Sequence, residues 1–72
     1  MTERGLDTRV REIRRQRRTT QAELAATVGV SRQTIISIEG GDYVPSVLLA
    51  LRLATALEST VDHLFFLAPL EP

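Results

Sequence analysis

The segment from Thr20 to Gly41, TQAELAATVGVSRQTIISIEGG, constrains this chain more than any other part of it. It holds two short helical patterns, each opened by a residue able to cap a helix, joined by a Val28-Gly29-Val30 turn. Thr20-Gln21-Ala22-Glu23 reads as a capping box. The threonine oxygen can accept from the amide of Glu23 while the glutamate carboxylate reaches back to the amide of Thr20. The predicted helix covers 21–28, with Leu24, Ala25 and Val28 inward and Gly29 placed to take the left-handed closing conformation. Ser31 opens the next helix over 32–39. Its β-branched residues (Val30, Thr34, Ile35, Ile36, Ile38) would also suit a strand. The adjacent Ile35 and Ile36 break a two-residue alternation, however, and Ile35 with Ile38 fit a helix behind a cap. Gly40-Gly41-Asp42 forms the turn that follows.

Outside this segment the signals are weaker. Residues 1–7 show no periodicity and are expected to form a flexible arm. Thr8 can cap a first helix over 9–18, with Val10 and Ile13 on one face, although Arg18 stands where a glycine would be the usual stop. Pro45-Ser46 starts a fourth helix over 47–57, apolar nearly all round and interrupted only by Arg52 and Thr55. One buried face cannot use so many apolar residues, so part of the surplus is expected to meet a partner. Thr60 caps a fifth helix over 61–66, holding Val61, Leu64 and Phe65, and an apolar tail covers 67–72. The expected architecture is all-α: a five-helix bundle over 8–66. Phe65, Phe66 and Leu67 are consecutive and cannot all face inward in such a bundle. With the surplus on the fourth helix, this makes Leu48, Leu49, Phe66 and Leu67 the expected homodimer surface.

Seventy-two residues supply one modest core, and chains of this size often gain stability by self-association. There is no cysteine, which excludes disulfides and thiolate metal sites. The start, MTERGLD, has no apolar signal-peptide core, and no apolar run approaches the roughly 18 residues a membrane span needs. A soluble, cytoplasmic protein is expected. Lone His63 has no second histidine or cysteine to share a metal. Gly40-Gly41 is a turn between helices rather than a phosphate loop, and no nucleophile–base pair can be assembled. The expectation is a non-enzyme without cofactor or metal.

The net charge of zero conceals a dipolar chain. Residues 1–32 hold eight arginines against four carboxylates, a net of +4, whereas residues 33–72 hold Arg52 against five carboxylates, a net of −4. Six of the ten residues from Arg9 to Arg18 are arginine. Such a cluster supplies sequence-independent attraction to phosphates, and it suits a solvated basic helix face equally well.

Two capped helices across a tight turn make the layout of a helix-turn-helix, whose second helix enters the major groove of DNA. With Ile35 and Ile38 inward, Gln33 and Ser37 lie on the opposite face at about 100° per residue, Ile36 beside them and Arg32 at the helix entrance. Gln33 can pair bidentately with adenine, Arg32 with guanine or a phosphate, and Ile36 can meet a thymine methyl group. The plain alternative is a polar outer face. The free amides at the starts of the second and third helices favour an anion, and Thr20, Gln21 and Ser31 carry donors there. Capping alone explains Thr20 and Ser31, but not Gln21.

The stretch from Val10 to Phe65 resembles the phage-repressor and Cro-like (Xre-type) helix-turn-helix family of small transcriptional regulators. The residues that carry the resemblance are Thr20 to Ala25, Val28 to Ile35, Ile38-Glu39 with Gly41, Pro45-Ser46, Val61-Asp62 and Leu64-Phe65. It implies a lambda-repressor-like fold, a phosphate contact at Gln21, and base contacts from Arg32, Gln33 and Ser37. It also implies an ion pair between Arg14 and Glu39. The departures are Thr19 where a leucine commonly precedes the capping threonine, Gly40 for a common asparagine, Asp42 at a site often basic, and Ile36 at a site usually polar.

The resulting expectation is a repressor binding double-stranded DNA as a homodimer. Arg32, Gln33, Ile36 and Ser37 would face bases. Arg11, Arg15, Thr20, Gln21, Ser31, Thr34 and Tyr43 would face phosphates. The rival is an antitoxin-like module whose apolar C-terminal surface holds another protein.

Overall fold

The computed structural model describes residues 5–68. Its elements in chain order are β1 (Leu6–Thr8), α1 (Val10–Gln16), α2 (Gln21–Val28), α3 (Arg32–Glu39), α4 (Val47–Ala56), α5 (Val61–Leu64) and β2 (Phe65–Leu67). Four of these helices open on a hydroxyl that accepts from the amide three residues on: Thr20 from Glu23, Ser31 from Thr34, Ser46 from Leu49 and Thr60 from His63. These bonds satisfy donors that a helix start leaves without an intrahelical partner. α1 differs. Arg9 stands at its cap position without a side-chain cap bond, and Thr8 Oγ1 accepts from the amide of Val10 at 3.1 Å.

Three helices close in the same way. After α1 the amide of Thr19 donates to the carbonyl of Arg14 and that of Arg18 to Arg15. After α3, Asp42 donates to Ser37 and Gly41 to Ile38; after α4, Ser59 donates to Ala54 and Glu58 to Thr55. This is the paired closure that puts its central residue in the left-handed region. Gly41 takes it at φ 81°, but Arg18 and Glu58 take it at φ 54° and 51° without being glycine. α1 and α4 therefore stop at Gln16 and Ala56, short of the 18 and 57 expected.

One layer of the structure departs from an all-helical reading. β1 and β2 pair antiparallel, with Leu6 opposite Leu67, Asp7 opposite Phe66 and Thr8 opposite Phe65. Residues 6 and 7, expected in a flexible arm, are thus a strand; residues 1–4 of that arm and 69–72 of the tail lie outside the described residues. The fifth helix ends at Leu64 rather than 66, because Phe65 turns to φ −129°, ψ 135° to join the pairing. Strand geometry also answers how Phe65, Phe66 and Leu67 dispose of their side chains. Alternation puts Phe65 and Phe66 on opposite faces, Phe65 buried in the core and Phe66 half-buried, while Leu67, on the same face as Phe65 but at the end of the strand, is exposed. Arg9 lies over the Phe66 ring, 4.2 Å from its centroid, and donates through Nη1 to the carbonyl of His63 at 2.9 Å.

The core joins Val10 of α1, Leu24, Ala25 and Val28 of α2, and Ile35 and Ile38 of α3. It is completed by Leu49, Ala50, Leu53 and Ala54 of α4, Leu57, Leu64 and Phe65. Leu49 therefore belongs to the interior and not to the outward surface expected of it. It shares the Leu53 and Leu57 stripe at four-residue spacing. The apolar residues that α4 leaves outside are Val47, Leu48 and Leu51, joined by Val44 before it. Phe66, also expected at a dimer surface, is partly covered beneath Arg9. Leu48 and Leu67 are exposed. Among the described residues no helix is long and apolar enough to cross a membrane.

Candidate nucleic-acid interface

The turn between α2 and α3 fixes the angle at which α3 is presented. Gly29 closes α2 at φ 79°, and its amide and that of Val30 both donate to the carbonyl of Ala25. Any side chain here would be held in the left-handed conformation that glycine adopts at least cost. Ser31 then starts α3, its hydroxyl also bonded to that of Thr34 at 3.0 Å. Ile35 and Ile38 are buried in the core, with α3 packed on α2 and α1, which turns the opposite side of α3 outward. Arg32 and Gln33 are exposed on it, while Thr34, Ile36 and Ser37 are half-buried. The side chains free to reach furthest from the surface are thus the arginine and the glutamine at the start of the helix.

Behind α3 sits a polar cluster built on Glu39. Its side chain is fully buried, yet donors from two other helices converge on it. Arg14 of α1 donates through Nε to Oε2 at 2.6 Å and through Nη2 to Oε1 at 3.2 Å. Gln21 of α2 donates through Nε2 to Oε1 at 3.2 Å, and Arg11 makes a longer contact through Nε at 3.5 Å. Arg14 also donates through Nη1 to the carbonyl of Thr19 at 2.9 Å, tying the α1–α2 loop into the cluster. Burial alone would raise the carboxyl of Glu39, but the hydrogen bonds from Arg14, Gln21 and Arg11 and the charge of Arg14 outweigh it. They hold the group below its ordinary range. Among the described residues no buried side-chain nitrogen or oxygen lacks a partner.

This cluster shapes the surface in front of it. Arg14, Arg15, Thr20, Gln21, Ala22 and Arg32 line an open depression of about 580 Å³ at the start of α2. A second, of about 470 Å³, lies between Thr8, Arg11, Glu12, Arg15 and Glu39. The structure therefore brings together Arg11, Arg15, Thr20, Gln21 and Arg32. Ser31, Thr34 and Tyr43 line neither depression, and Tyr43 stands exposed beyond α3. Thr20 keeps a hydroxyl hydrogen to offer, because in the capping box its oxygen only accepts, from the amide of Glu23 at 3.0 Å. The box is completed by the amide of Thr20 donating to the Glu23 carboxylate at 2.9 Å, which holds that carboxyl below its ordinary range.

The arginine cluster of the sequence divides by role. Arg14 is buried, Arg17 pairs with Glu58, and Arg9 stacks on Phe66. Arg11 and Arg15 remain to line the depressions. Sequence reasoning missed the bond from Gln21 to Glu39 and the stacking of Arg9. Only Gln21 left a trace in the sequence, as the one polar residue at that helix start for which capping gives no reason.

Comparison with known proteins places the same segment. A family model described as "Helix-turn-helix" matches residues 10–64. The chain is 46% identical over 59 residues to the HTH-type transcriptional regulator YgzD of Bacillus subtilis, covering 82% of this chain and 89% of that protein. It is 49% identical over 61 residues to an HTH-type transcriptional regulator of Methanothermobacter thermautotrophicus, covering 83% and 88%. Among solved structures it is similar to the restriction-modification controller protein C.AhdI of Aeromonas hydrophila. The TM-score is 0.72 at 33% identity, over 76% of this chain and 83% of that one.

Proposed function

The chain belongs to the Xre-type, lambda-repressor-like helix-turn-helix family of DNA-binding regulators, and from that premise we propose that it is a sequence-specific repressor acting on double-stranded DNA as a homodimer. The observation that carries this reading is the division of labour across one surface. Arg32 and Gln33 stand exposed at the start of α3, beside a depression lined by Arg15, Thr20 and Gln21 at the start of α2. A phosphate held in that depression would set the register, and α3 would then read base edges through Arg32, Gln33, Ile36 and Ser37. Arg11, Ser31, Thr34 and Tyr43 would add phosphate contacts along the rim. The activity is binding that occludes a promoter, with no catalytic step.

The apolar face that α4 leaves uncovered supports the homodimer. A two-fold pair would set two α3 helices about 34–36 Å apart, on successive major grooves. The second reading, an antitoxin-like module, draws on the same region. Leu6, Val44, Pro45, Val47, Ala50, Leu51, Val61 and Phe65 line an almost wholly apolar groove of about 380 Å³, suited to a partner's side chains. The test is selection of bound fragments from the organism's own DNA, with Gln33→Ala as the control. Recovery of one recurrent sequence by the native protein and its loss with Gln33→Ala is the expected result. Co-purification of a second chain seated on the groove, with no sequence recovered, would favour the module.

A further inference from the structure

Building on the reading that Gln21 grips a DNA phosphate, we infer that Glu39 is a positioning residue for that grip. Its buried carboxylate fixes the carboxamide of Gln21, engaging one Nε2 hydrogen and leaving the other to be offered at the start of α2. The geometry separates this task from the tie between α1 and α3. Arg14 already supplies a donor to each oxygen of Glu39, so the carboxylate is neutralised without Gln21. Nor does α2 need Gln21 for its start, since Thr20 and Glu23 satisfy each other there. The bond from Gln21 to Glu39 is therefore surplus to both the ion pair and the cap.

What that bond does is order a side chain that would otherwise sample many rotamers at the rim of the depression. A glutamine ordered before the ligand arrives does not lose that freedom on binding. Charge is arranged to match. With Arg14 against it, Glu39 presents no uncompensated negative charge to an approaching phosphate. Arg11, at 3.5 Å and half exposed, is the donor able to turn outward without leaving Glu39 unpartnered. The polar side chains that face Glu39 are thus Arg11 and Arg14 from α1 and Gln21 from α2.

Two measurements test the inference. In the free protein, the relaxation of the Gln21 side-chain amide reports its order. An order parameter near that of rigid backbone, about 0.85, is expected, whereas the exposed Gln33 amide should fall below about 0.6. A Gln21 amide as mobile as Gln33 overturns the inference and leaves the DNA reading standing. The second measurement uses the operator duplex from the selection, synthesised with one uncharged methylphosphonate linkage at each position in turn. The variant is the pair Arg14→Met with Glu39→Leu, which replaces the buried ions with apolar residues of similar size, an exchange that folds commonly tolerate. One linkage should weaken wild-type binding by about tenfold, as expected for a hydrogen bond to a charged group. That penalty should vanish both in Gln21→Ala and in the apolar pair. If the apolar pair keeps the full penalty, Glu39 does not position Gln21. If no linkage responds to Gln21→Ala, the phosphate reading of Gln21 fails, and the inference with it. Should the apolar pair not fold, the order of the wild-type amide decides alone.

Discussion

Glu39 holds a charge on a side chain with no exposed surface, and three neighbouring side chains make that possible. Because its carboxyl lies below the ordinary value of 4.5 in the folded protein, the unfolded chain takes up the proton first as pH falls. The stability this cluster contributes is full above that value and is lost as pH drops through the depressed folded value. A fit of unfolding free energy against pH should therefore decline below about pH 4.5, and in Arg14→Met with Glu39→Leu that part of the decline should be absent. Removing only one partner has a different outcome. Glu39→Ala strands the guanidinium of Arg14 in the interior and should cost about 3–5 kcal/mol in urea unfolding. Surface residues answer to binding rather than stability. Gln33→Ala should lose about 1–3 kcal/mol of discrimination at one base position with unchanged thermal stability. Arg15→Ala should weaken all duplexes alike and lower the slope of log affinity against log salt by about 1. Of these residues, the outward placement of Gln33 was legible from Ile35 and Ile38 by helical geometry alone. The bond of Gln21 to Glu39 was not, because it joins side chains from two helices whose relative placement no local pattern encodes.

Among elements, the starts were easier to read than the stops. A hydroxyl before an apolar period announces a helix, and Thr20, Ser31, Ser46 and Thr60 each sit at such a start. The closures of α1 and α4 carry no glycine, so Arg18 and Glu58 enter the left-handed region at a backbone cost that glycine avoids. Arg18→Gly should accordingly raise the stability of the protein by up to about 1 kcal/mol in thermal or urea unfolding. Gly41→Ala, which forces a Cβ into the same conformation, should lower it by a similar amount. The strands had no readable signal. Three residues offer too little alternation to mark a strand, and β1 exists only because β2, from the far end of the chain, supplies its hydrogen bonds. The same pairing converts the end of the expected fifth helix into extended chain, which the apolar run Phe65-Phe66-Leu67 suited as well as it suited a helix.

The molecule as a whole keeps its two kinds of surplus apart. Arg15 lies beside the start of α2 with Arg11 in the adjoining depression, while Val44, Val47, Leu48 and Leu51 lie uncovered at and before α4. The first surplus suits a polyanion and the second suits a second protein surface. Since Val47 is 77% exposed and Leu51 53%, Val47→Asp with Leu51→Asp should leave the core intact. Sedimentation should then show dimer for the native protein and monomer for this variant at tens of micromolar, with operator affinity falling more than tenfold as the second half-site is lost. A native protein that sediments as a monomer would rule out the dimer without bearing on base readout by α3. Specific readout by α3 is decided by competition between the selected operator and a scrambled duplex of the same length. At physiological salt the native protein should prefer the operator by about a thousandfold or more, a preference that Gln33→Ala reduces. Equal affinity for the two duplexes would contradict it.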